Sequence, residues 1–379
     1  METKRCENPY MIPLTRLTNP DKKTNTYIAL ISRVLRSGVF IRGRWVQSFE
    51  HAFAAYCKRR HCIGVGSGTD ALTIALQSAA IGPGDDVIIP AFTFVSTAFA
   101  VIAAGAKPIF VDVDSHALLM DPKKLPQAIT PHTKAILPVH LYGVPAPMGT
   151  IGKIAKAHHL AVIEDAAQAH GSLYRNKRTG SLGTIGCFSF YPSKNLGAVG
   201  DAGAIVTNNA AIARKARRYA NLGEQRKYRH VVVGINSRLD AIQAAILQNK
   251  LQQLDRANQK RRAHAQLYTT LLAHLPVSLP YIPSDVTPNY HLFVIRTDKR
   301  HALRTYLSKR GIETGIHYPI PLHLQPALRQ LGYKRGDFPV SERAAKEVLS
   351  LPMYPELTSQ NIRYICASIS AFFTKRYTP

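Results

Sequence analysis

Lys194 stands out because it follows a run with strand character and lies between aromatic and glycine-rich neighbours. The segment 187–197 has the sequence CFSFYPSKNLG. Partial burial among such residues favours the neutral amine, which is the form of lysine that attacks a carbonyl carbon. A solvated surface lysine is the alternative interpretation of this residue taken alone.

The segment 162–171, VIEDAAQAHG, ends a predicted buried strand with the acidic pair Glu164 and Asp165. Ligands of α/β proteins bind at the carboxyl ends of parallel strands. A carboxylate buried there needs a positive partner, and a protonated ring nitrogen is one such partner. The alternative is that Asp165 caps a following helix.

A third segment, GVGSGTDAL at 64–72, joins a strand to a helix through a glycine-rich turn. Glycines allow the backbone to approach an anion, and helix N-terminal amides with a threonine hydroxyl can hold phosphate. The segment matches neither a Walker loop nor a GxGxxG dinucleotide turn. Its alternative is an N-capped helix after a tight turn.

These segments lie within an alternation of short apolar runs and helical patterns, which predicts an α/β fold with a mostly parallel seven-stranded sheet. The predicted strands are Cys62–Val65, Asp86–Ile89, Pro108–Val113, Ala135–Val139, Ala161–Glu164, Cys187–Phe190 and Ala204–Thr207. The predicted helices among them are Thr69–Ala80, Val95–Ala104 and Ile151–His159.

The second half of the chain predicts one long helical stretch, Arg238–Leu272, and then a connection at Pro276–Pro288. A strand at Leu292–Arg296 and helices near 300–310, 340–350 and 359–373 indicate a smaller C-terminal α/β domain. We therefore expect an N-terminal extension at 1–20, a large domain at 21–255 and a small domain at 256–379.

The three segments together resemble the DegT/DnrJ/StrS sugar aminotransferases, which are fold type I enzymes that use pyridoxal 5'-phosphate. The segments occur in the order and at the spacing typical of that family, and the resemblance extends from about Ile12 to Leu357. Further matching segments are PAFTF at 90–94, PVHLYG at 138–143 and GINSRLD at 234–240.

The resemblance implies a role for each cofactor-binding residue. Lys194 would bond covalently to pyridoxal phosphate and carry protons at the substrate carbon. Asp165 would pair with the ring nitrogen, Gln168 would reach the 3-hydroxyl, and Phe94 would stack on the ring, although a core position in an apolar helix start is the alternative for this phenylalanine. The cofactor's phosphate would be held by Gly68, Thr69 and Ser189, and by Asn236 from the partner subunit of a homodimer.

The resemblance also implies the substrates, which are glutamate and a nucleotide-linked keto sugar. Amination at C3 of a dTDP-3-keto-6-deoxyhexose is expected, with C4 amination of a 4-keto isomer as the alternative. A cofactor-binding regulator is the non-enzymatic alternative. Donors around the sugar and its diphosphate would come from Tyr191, Lys227, Arg238, His317 and Tyr318. A basic loop is the alternative for Lys227, and a strand of the small domain is the alternative for His317 and Tyr318.

The composition limits other functions. Forty-nine basic and 23 acidic residues give a formal charge of +26, which by itself suggests a polyanionic partner. The basic residues are dispersed and no aromatic-interleaved basic stripe occurs, so we expect a solvated basic surface rather than nucleic-acid binding. Five scattered cysteines without a Cys-x-x-Cys pair predict reduced thiols and no metal site, and no apolar run is long enough to cross a membrane. A cytoplasmic protein is expected.

Overall fold

A seven-stranded sheet is the central feature of the computed structural model, which describes residues 11–17 and 23–374. The strands of the protein are β1 (His61–Val65), β2 (Asp86–Pro90), β3 (Lys107–Val111), β4 (Thr133–Ile136), β5 (Ala161–Asp165), β6 (Leu173–Tyr174), β7 (Lys177–Arg178), β8 (Ile185–Ser189), β9 (Gly203–Thr207), β10 (Glu224–Arg226), β11 (Arg229–His230), β12 (Val286–Thr287), β13 (Phe293–Arg296) and β14 (Val348–Leu351). The order across the central sheet is β1-β9-β8-β5-β4-β2-β3, with β9 antiparallel to both of its neighbours. The other four pairings are parallel, so the predicted fold class is confirmed.

The helices alternate with the strands along the chain, and several of them cover the two faces of this sheet. They are α1 (Lys23–Ser37), α2 (Gly43–Tyr56), α3 (Gly68–Ser78), α4 (Ser96–Ala103), α5 (Leu125–Ala128), α6 (Met148–Ala157), α7 (Ala210–Tyr219), α8 (Ala241–Leu251), α9 (Leu254–Leu272), α10 (Arg300–Ser308), α11 (Pro339–Glu347) and α12 (Ser359–Thr374). Successive parallel strands need crossover connections, and α3, α4 and α6 provide them in the first half of the chain.

Neighbouring residues of each central strand enter different hydrophobic clusters. Ile89 and Ile163 belong to the cluster that contains α3 and α4, whereas Ile88 and Val162 belong to the cluster that contains α6. Side chains alternate between the two faces of a strand, so a sheet covered on both sides buries every position. The same alternation directs Glu164 and Asp165 to opposite faces.

A second, smaller α/β unit follows the central sheet. Strands β13 and β14 pair antiparallel, and their buried residues pack with those of α9, α10 and α12. The expected domain boundary at 255/256 lies at the start of α9, and this division stays a prediction. Residues 1–10 and 18–20 of the expected extension lie outside the described residues.

The stretch predicted as one helix, Arg238–Leu272, is divided into α8 and α9. The separation occurs at Gln252 and Gln253, where no glycine or proline announces it. The two helices pack against different partners, because α8 contacts α1 and α2 while α9 contacts α12. Tertiary packing therefore decides the break.

The helix predicted near 340–350 is also shorter than expected. Helix α11 ends at Glu347, and Val348–Leu351 form strand β14 instead. Val348 and Leu349 pair with Arg296 and Ile295 of β13, and this pairing fixes the extended conformation. The strand predicted at Leu292–Arg296 is confirmed as β13.

Two expectations from composition can be compared with the structure. Four cysteines, Cys57, Cys62, Cys187 and Cys366, are buried free thiols, while Cys6 lies outside the described residues. Within residues 11–17 and 23–374, no helix combines the length and apolar character needed to cross a membrane.

Candidate active site

The carboxyl ends of β1, β5 and β8 bring the three sequence segments to one edge of the sheet. These strands end at Val65, Asp165 and Ser189. A Cβ atom added to Gly68 would lie 2.6 Å from Cβ of Ser189, so the glycine-rich turn and the end of β8 are in close contact. This is the edge at which α/β proteins bind their ligands.

The glycine-rich turn leads directly into α3. The Ser67 hydroxyl accepts a hydrogen bond from the backbone N–H of Asp70 at 3.1 Å, so the N-capped helix proposed as the alternative is present. A cap does not compete with anion binding, because the N–H groups of the first helical turn lack intrahelical acceptors. Gly68 and Thr69 occupy that turn.

Two hydroxyls flank the start of α3. Thr69 Oγ1 donates to Ser96 Oγ at 2.9 Å, and Ser189 Oγ accepts from the backbone N–H of Tyr191 at 3.3 Å. The turn, the start of α4 and the end of β8 therefore contribute polar groups to one small region. Such a set of N–H and O–H groups suits a phosphate.

Asp165 is buried and forms no salt bridge with any residue the structure describes. Its Oδ2 accepts from Thr97 Oγ1 at 2.9 Å, and its Oδ1 accepts from the backbone N–H of Ala167 at 3.2 Å. Burial raises the pKa of this carboxyl, while the two hydrogen bonds and then Lys194 oppose the increase. Turns rather than a helix follow β5, so the interpretation of Asp165 as a helix cap is wrong.

Glu164 faces the other side of the sheet and is fully buried there. Its carboxylate accepts from the backbone N–H groups of Gly180, Leu182 and Gly183 at 2.6, 2.7 and 2.6 Å, and contacts His140 Nε2 at 3.0 Å. Three of these four contacts hold the loop after β7. Glu164 is therefore a structural residue, although the sequence presents it beside Asp165.

Lys194 lies in a half-buried loop that is held by its own backbone. The Lys194 N–H donates to the carbonyl oxygen of Tyr191 at 2.8 Å, and the Ala198 N–H donates to that of Phe190 at 2.7 Å. No described residue forms a hydrogen bond with the Lys194 amine. Burial lowers the pKa of Lys194 to about 8, and the nearby Asp165 opposes this change. A half-buried amine with a lowered pKa does not match a solvated surface lysine.

Sequence reasoning missed a buried amide network beside this lysine. Asn195 Nδ2 donates to Asn258 Oδ1 at 2.9 Å and to the Asn289 carbonyl at 3.1 Å, and its Oδ1 contacts His291 Nδ1 at 3.2 Å. Asn289 Nδ2 in turn donates to the carbonyls of residues 168 and 170. The network joins the Lys194 loop to α9 and to the end of β5. Only the position of Asn195 next to Lys194 hinted at it.

Three histidines lie close enough to Lys194 for its charge to affect them. Burial first, and then the positive charge of Lys194, lower the pKa of His317 to about 4 and that of His170 to about 3. The same two causes hold the pKa of His291 well below its ordinary value. His317 Nδ1 also contacts Ser350 Oγ at 2.8 Å. Neutral imidazoles thus border the lysine.

Gln168 is buried, and both ends of its side-chain amide have partners. Its Oε1 accepts from the backbone N–H of Tyr142 at 2.6 Å, and its Nε2 donates to the Tyr318 hydroxyl at 2.9 Å. The Tyr142 hydroxyl donates to the His317 carbonyl. Residues 317 and 318 of the C-terminal half therefore contact the central sheet at Gln168.

Two aromatic side chains at this edge are exposed. Phe94 is 51% exposed, so the alternative that placed it in the core is wrong. Its ring centroid lies 5.5 Å from that of Tyr318, with the planes tilted by 39°. Tyr191 is 53% exposed and precedes Lys194 by three residues. Both rings are accessible to a ligand.

The remaining predicted residues lie in the segment 227–238, whose Ser237 hydroxyl accepts a hydrogen bond from the backbone N–H of Gly66 in the glycine-rich turn at 2.9 Å. Asn236 is exposed, and its backbone forms an isolated bridge with Asn221, whose Oδ1 accepts from Arg238 Nη1 at 3.4 Å. Lys227 lies at the exposed β10–β11 hairpin, with its amine 5.1 Å from the ring centroid of Tyr228. Within the described part of the chain, no contact joins Asn236 or Lys227 to Lys194.

Comparison with known proteins adds the family context. The model of the DegT/DnrJ/EryC1/StrS aminotransferase family matches residues 21–370. A pleiotropic regulatory protein of Geobacillus stearothermophilus is 49% identical over 347 residues, which cover 91% of this chain and 93% of that protein. The dTDP-3-amino-3,4,6-trideoxy-alpha-D-glucose transaminase of Streptomyces venezuelae is 47% identical over 330 residues, 87% of each chain. The UDP-2-acetamido-2-deoxy-3-oxo-D-glucuronate aminotransferase of Pseudomonas aeruginosa is 42% identical over 361 residues, 95% of this chain and 100% of that protein.

Solved structures show the same fold. The structure of S. venezuelae DesV superimposes with a TM-score of 0.94 at 43% identity, covering 96% of this chain and 99% of that chain. The structure of ntda from Bacillus subtilis with bound cofactor pmp superimposes with a TM-score of 0.89 at 35% identity, covering 96% and 84%.

Proposed function

The chain belongs to the DegT/DnrJ/EryC1/StrS aminotransferase family, and from this premise we propose that it aminates C3 of a dTDP-linked 3-keto-6-deoxyhexose with glutamate as donor. It is a sugar aminotransferase of fold type I that uses pyridoxal phosphate. The observation that carries the proposal is the combination of two residues at the carboxyl edge of the sheet: Lys194, with its lowered pKa, and the buried Asp165, which forms no salt bridge with any described residue.

The residues at this edge fit pyridoxal phosphate. The position of Gly68 accepts no side chain, because an added Cβ atom would lie 2.6 Å from Ser189, and the backbone can therefore approach a phosphate closely. Asp165 offers a buried negative charge of the kind that a protonated pyridine ring requires. A phosphate-binding turn and a buried carboxylate at one sheet edge suit a molecule with an anion at one end and a cation at the other.

Each residue then has a role in binding or proton transfer. Gly68, Thr69 and Ser189 would hold the phosphate, Asp165 would bind the ring nitrogen, Gln168 would donate to the 3-oxygen and Phe94 would cover the ring. Lys194 would hold the cofactor and carry the proton at the substrate carbon. Pyridoxal phosphate supplies an electron sink, and the protein supplies orientation and proton transfer.

The protein acts as a homodimer in this proposal, with Asn236 completing the phosphate site of the partner subunit. The support is the exposure of Asn236 together with its apolar neighbours. Val233 is 94% exposed and Tyr228 is 83% exposed, and Val231 and Ile235 are also exposed. An apolar surface loop of this kind is typical of a protein interface.

The sugar would be bound by Tyr191, His317 and Tyr318, and the diphosphate or the donor carboxylate by Lys227 or Arg238. Two of the relatives carry a 3-amino or 3-oxo sugar in their names, which favours C3 over the alternative C4 position. The P. aeruginosa relative is named for a UDP sugar and the S. venezuelae relative for a dTDP sugar, so the proposal of a dTDP sugar depends on the S. venezuelae relative. Reduced buried thiols and nucleotide-sugar substrates are consistent with a cytoplasmic location.

The carbon that receives the amino group is tested by offering the enzyme the 3-keto and the 4-keto isomers of the sugar, each with glutamate. Products are followed by mass spectrometry and NMR, with the Lys194→Ala variant as the inactive control. A preference of at least about tenfold for the 3-keto isomer is expected, because polar groups left unpaired by the wrong isomer penalise its binding. Preference for the 4-keto isomer would contradict the C3 assignment while leaving the aminotransferase assignment intact.

One observation favours a second candidate function, a regulatory role, because the 49% identical relative bears the name of a regulatory protein. The same assay separates the two functions. A protein that binds pyridoxal phosphate but transfers no amino group to either sugar would favour the regulatory role over amination of these sugars.

A further inference from the structure

The backbone N–H of Tyr142 identifies which end of the Gln168 side-chain amide is its oxygen. An N–H group can only donate, so the atom that it meets at 2.6 Å must be the amide oxygen. The Nε2 atom therefore points the other way, where one of its two hydrogens is donated to the Tyr318 hydroxyl at 2.9 Å. The second hydrogen has no acceptor among the described residues. A buried N–H without a partner requires one, and the 3-oxygen of the cofactor would provide it.

Tyr318 is itself held firmly. The preceding residue, His317, is bound on both sides, because its carbonyl accepts from the Tyr142 hydroxyl and its imidazole contacts Ser350. Burial raises the pKa of the Tyr318 hydroxyl, which therefore remains protonated and neutral. Its ring lies 5.5 Å from that of Phe94. One side chain thus contacts two residues that are assigned to the cofactor.

We propose that Tyr318 is a positioning residue for the cofactor, with its hydroxyl fixing the amide of Gln168 and its ring supporting Phe94. This inference rests on the proposed function and reassigns Tyr318, which the family resemblance placed among the sugar-binding residues. Because Tyr318 belongs to the C-terminal half of the chain and Gln168 follows β5, correct docking of the two parts also sets the environment of the cofactor.

The hydroxyl and the ring of Tyr318 have separable effects. A donor to the cofactor's 3-oxygen would stabilise negative charge there, and would therefore lower the pH at which the bound cofactor loses its proton. Without the Tyr318 hydroxyl the Gln168 amide is free to turn away from the 3-oxygen, and this should raise the pKa of the absorbance transition of the bound cofactor. The net free energy of one hydrogen bond, expressed as a pKa shift, corresponds to an increase of about 0.4 to 1 unit in the absorbance pKa. Loss of the ring should instead weaken cofactor binding.

The experiment compares Tyr318→Phe, Tyr318→Leu and the control Tyr142→Phe as holoenzymes reconstituted with pyridoxal phosphate. Absorbance is titrated against pH, and the dissociation constant of the cofactor is measured separately. The control Tyr142→Phe removes the hydroxyl that donates to the His317 carbonyl but retains the Tyr142 backbone N–H that binds Gln168.

Tyr318→Phe is expected to raise the absorbance pKa by about 0.4 to 1 unit with less than about a threefold change in cofactor affinity. Tyr318→Leu should raise the pKa similarly and also weaken cofactor binding by about three- to tenfold, since an aromatic pair is lost. Tyr142→Phe should shift the absorbance pKa clearly less than Tyr318→Phe does, because Ser350 still holds His317 and the Tyr142 N–H still binds Gln168.

An unchanged absorbance pKa in Tyr318→Phe would overturn the inference, as would an equal shift in Tyr142→Phe. Loss of sugar turnover with an unchanged spectrum would also overturn it and return Tyr318 to the substrate site. The spectrum does not require transamination. Failure of the wild-type protein to aminate a keto sugar would therefore contradict the proposed function without affecting this result.

Discussion

Glu164 and Asp165 are adjacent on β5 but face opposite sides of the sheet, so the same chemical change should have different results at the two positions. Replacing each carboxylate by its amide, Glu164→Gln and Asp165→Asn, alters charge and hydrogen bonding with almost no change of shape. Glu164→Gln should destabilise the fold. Asp165→Asn should leave the fold stable and remove most of the activity.

The magnitude for Glu164→Gln follows from the four contacts of the carboxylate. His140 Nε2 and the Gly180 N–H meet one oxygen, while the N–H groups of Leu182 and Gly183 meet the other. His140 Nδ1 accepts from the Ala146 N–H, so its Nε2 must carry a proton and cannot accept. Either orientation of the amide leaves two donors facing an NH2 group. Two hydrogen bonds to a charged group correspond to a loss of about 3 to 6 kcal/mol in the free energy of unfolding.

Asp165 behaves differently because one of its partners is a hydroxyl. An asparagine can accept from the Ala167 N–H through Oδ1 and donate through Nδ2 to Thr97, whose hydroxyl can rotate to accept. Both contacts survive, and the buried charge is removed. We expect the unfolding free energy of the cofactor-free protein to change by no more than about 1 kcal/mol. Cofactor binding should weaken and transamination should fall, because an amide cannot hold a pyridine nitrogen protonated.

Urea unfolding of the cofactor-free variants, monitored by circular dichroism, measures the difference without a contribution from bound cofactor. Activity of the reconstituted enzymes is measured in parallel. The raised pKa of Asp165 adds a pH test, because ionisation of this buried carboxyl destabilises the wild type as pH rises above its ordinary value of 3.8. The free energy of unfolding of Asp165→Asn, relative to that of the wild type, should therefore increase as pH rises above 3.8. Equal destabilisation by both variants would refute the assignment of opposite faces.

Three further predictions concern Lys194, His317 and the dimer. Lys194→Ala should reduce transamination by at least about 100-fold while leaving urea unfolding almost unchanged. In the wild type, the rate at which added pyridoxal phosphate is bound covalently should increase as pH rises through about 8, where the Lys194 amine becomes neutral. A rate that increases only near the ordinary lysine pKa would contradict the lowered pKa. The folded state keeps His317 neutral down to about pH 4, whereas the unfolded chain protonates it near 6.5, so stability should fall on acidification between these values. His317→Asn should reduce that slope by about 1.4 kcal/mol per pH unit in urea unfolding at several pH values, and an unchanged slope would contradict the assignment. Mixed dimers of Lys194→Ala and Asn236→Ala chains should regain part of the activity that both parent variants lack, and verified heterodimers without activity would place Asn236 outside the partner's site.

The local patterns of the sequence were sufficient for the central sheet. All seven predicted strands occur, because strands buried on both faces are apolar almost throughout and glycine-rich turns separate them from helices. The segments that contain Lys194, Asp165 and Gly68 also reach the same edge, since the carboxyl ends of parallel strands lie together. Short-range patterns carry these features, and no distant contact was needed to predict them.

Features that depend on distant contacts could not be predicted. The break between α8 and α9 has no glycine or proline signal, and it arises because the two helices pack against different elements. Strand β14 was predicted as part of a helix, because only its pairing with β13 makes it extended. Helical and extended conformations were both compatible with the local sequence, and tertiary packing selected one.

Sequence alone determined which residue types were present for chemistry: a lysine, a strand-end carboxylate and a glycine-rich turn. Only the tertiary structure decided which neighbouring groups act on them. Glu164 and Asp165 look equivalent in sequence, yet one holds a loop and the other faces Thr97 and Lys194. Tyr318 lies 150 residues from Gln168 but shares a hydrogen bond with it. Spacing along a chain fixes the face of a strand, whereas a contact across the fold depends on how the whole chain packs.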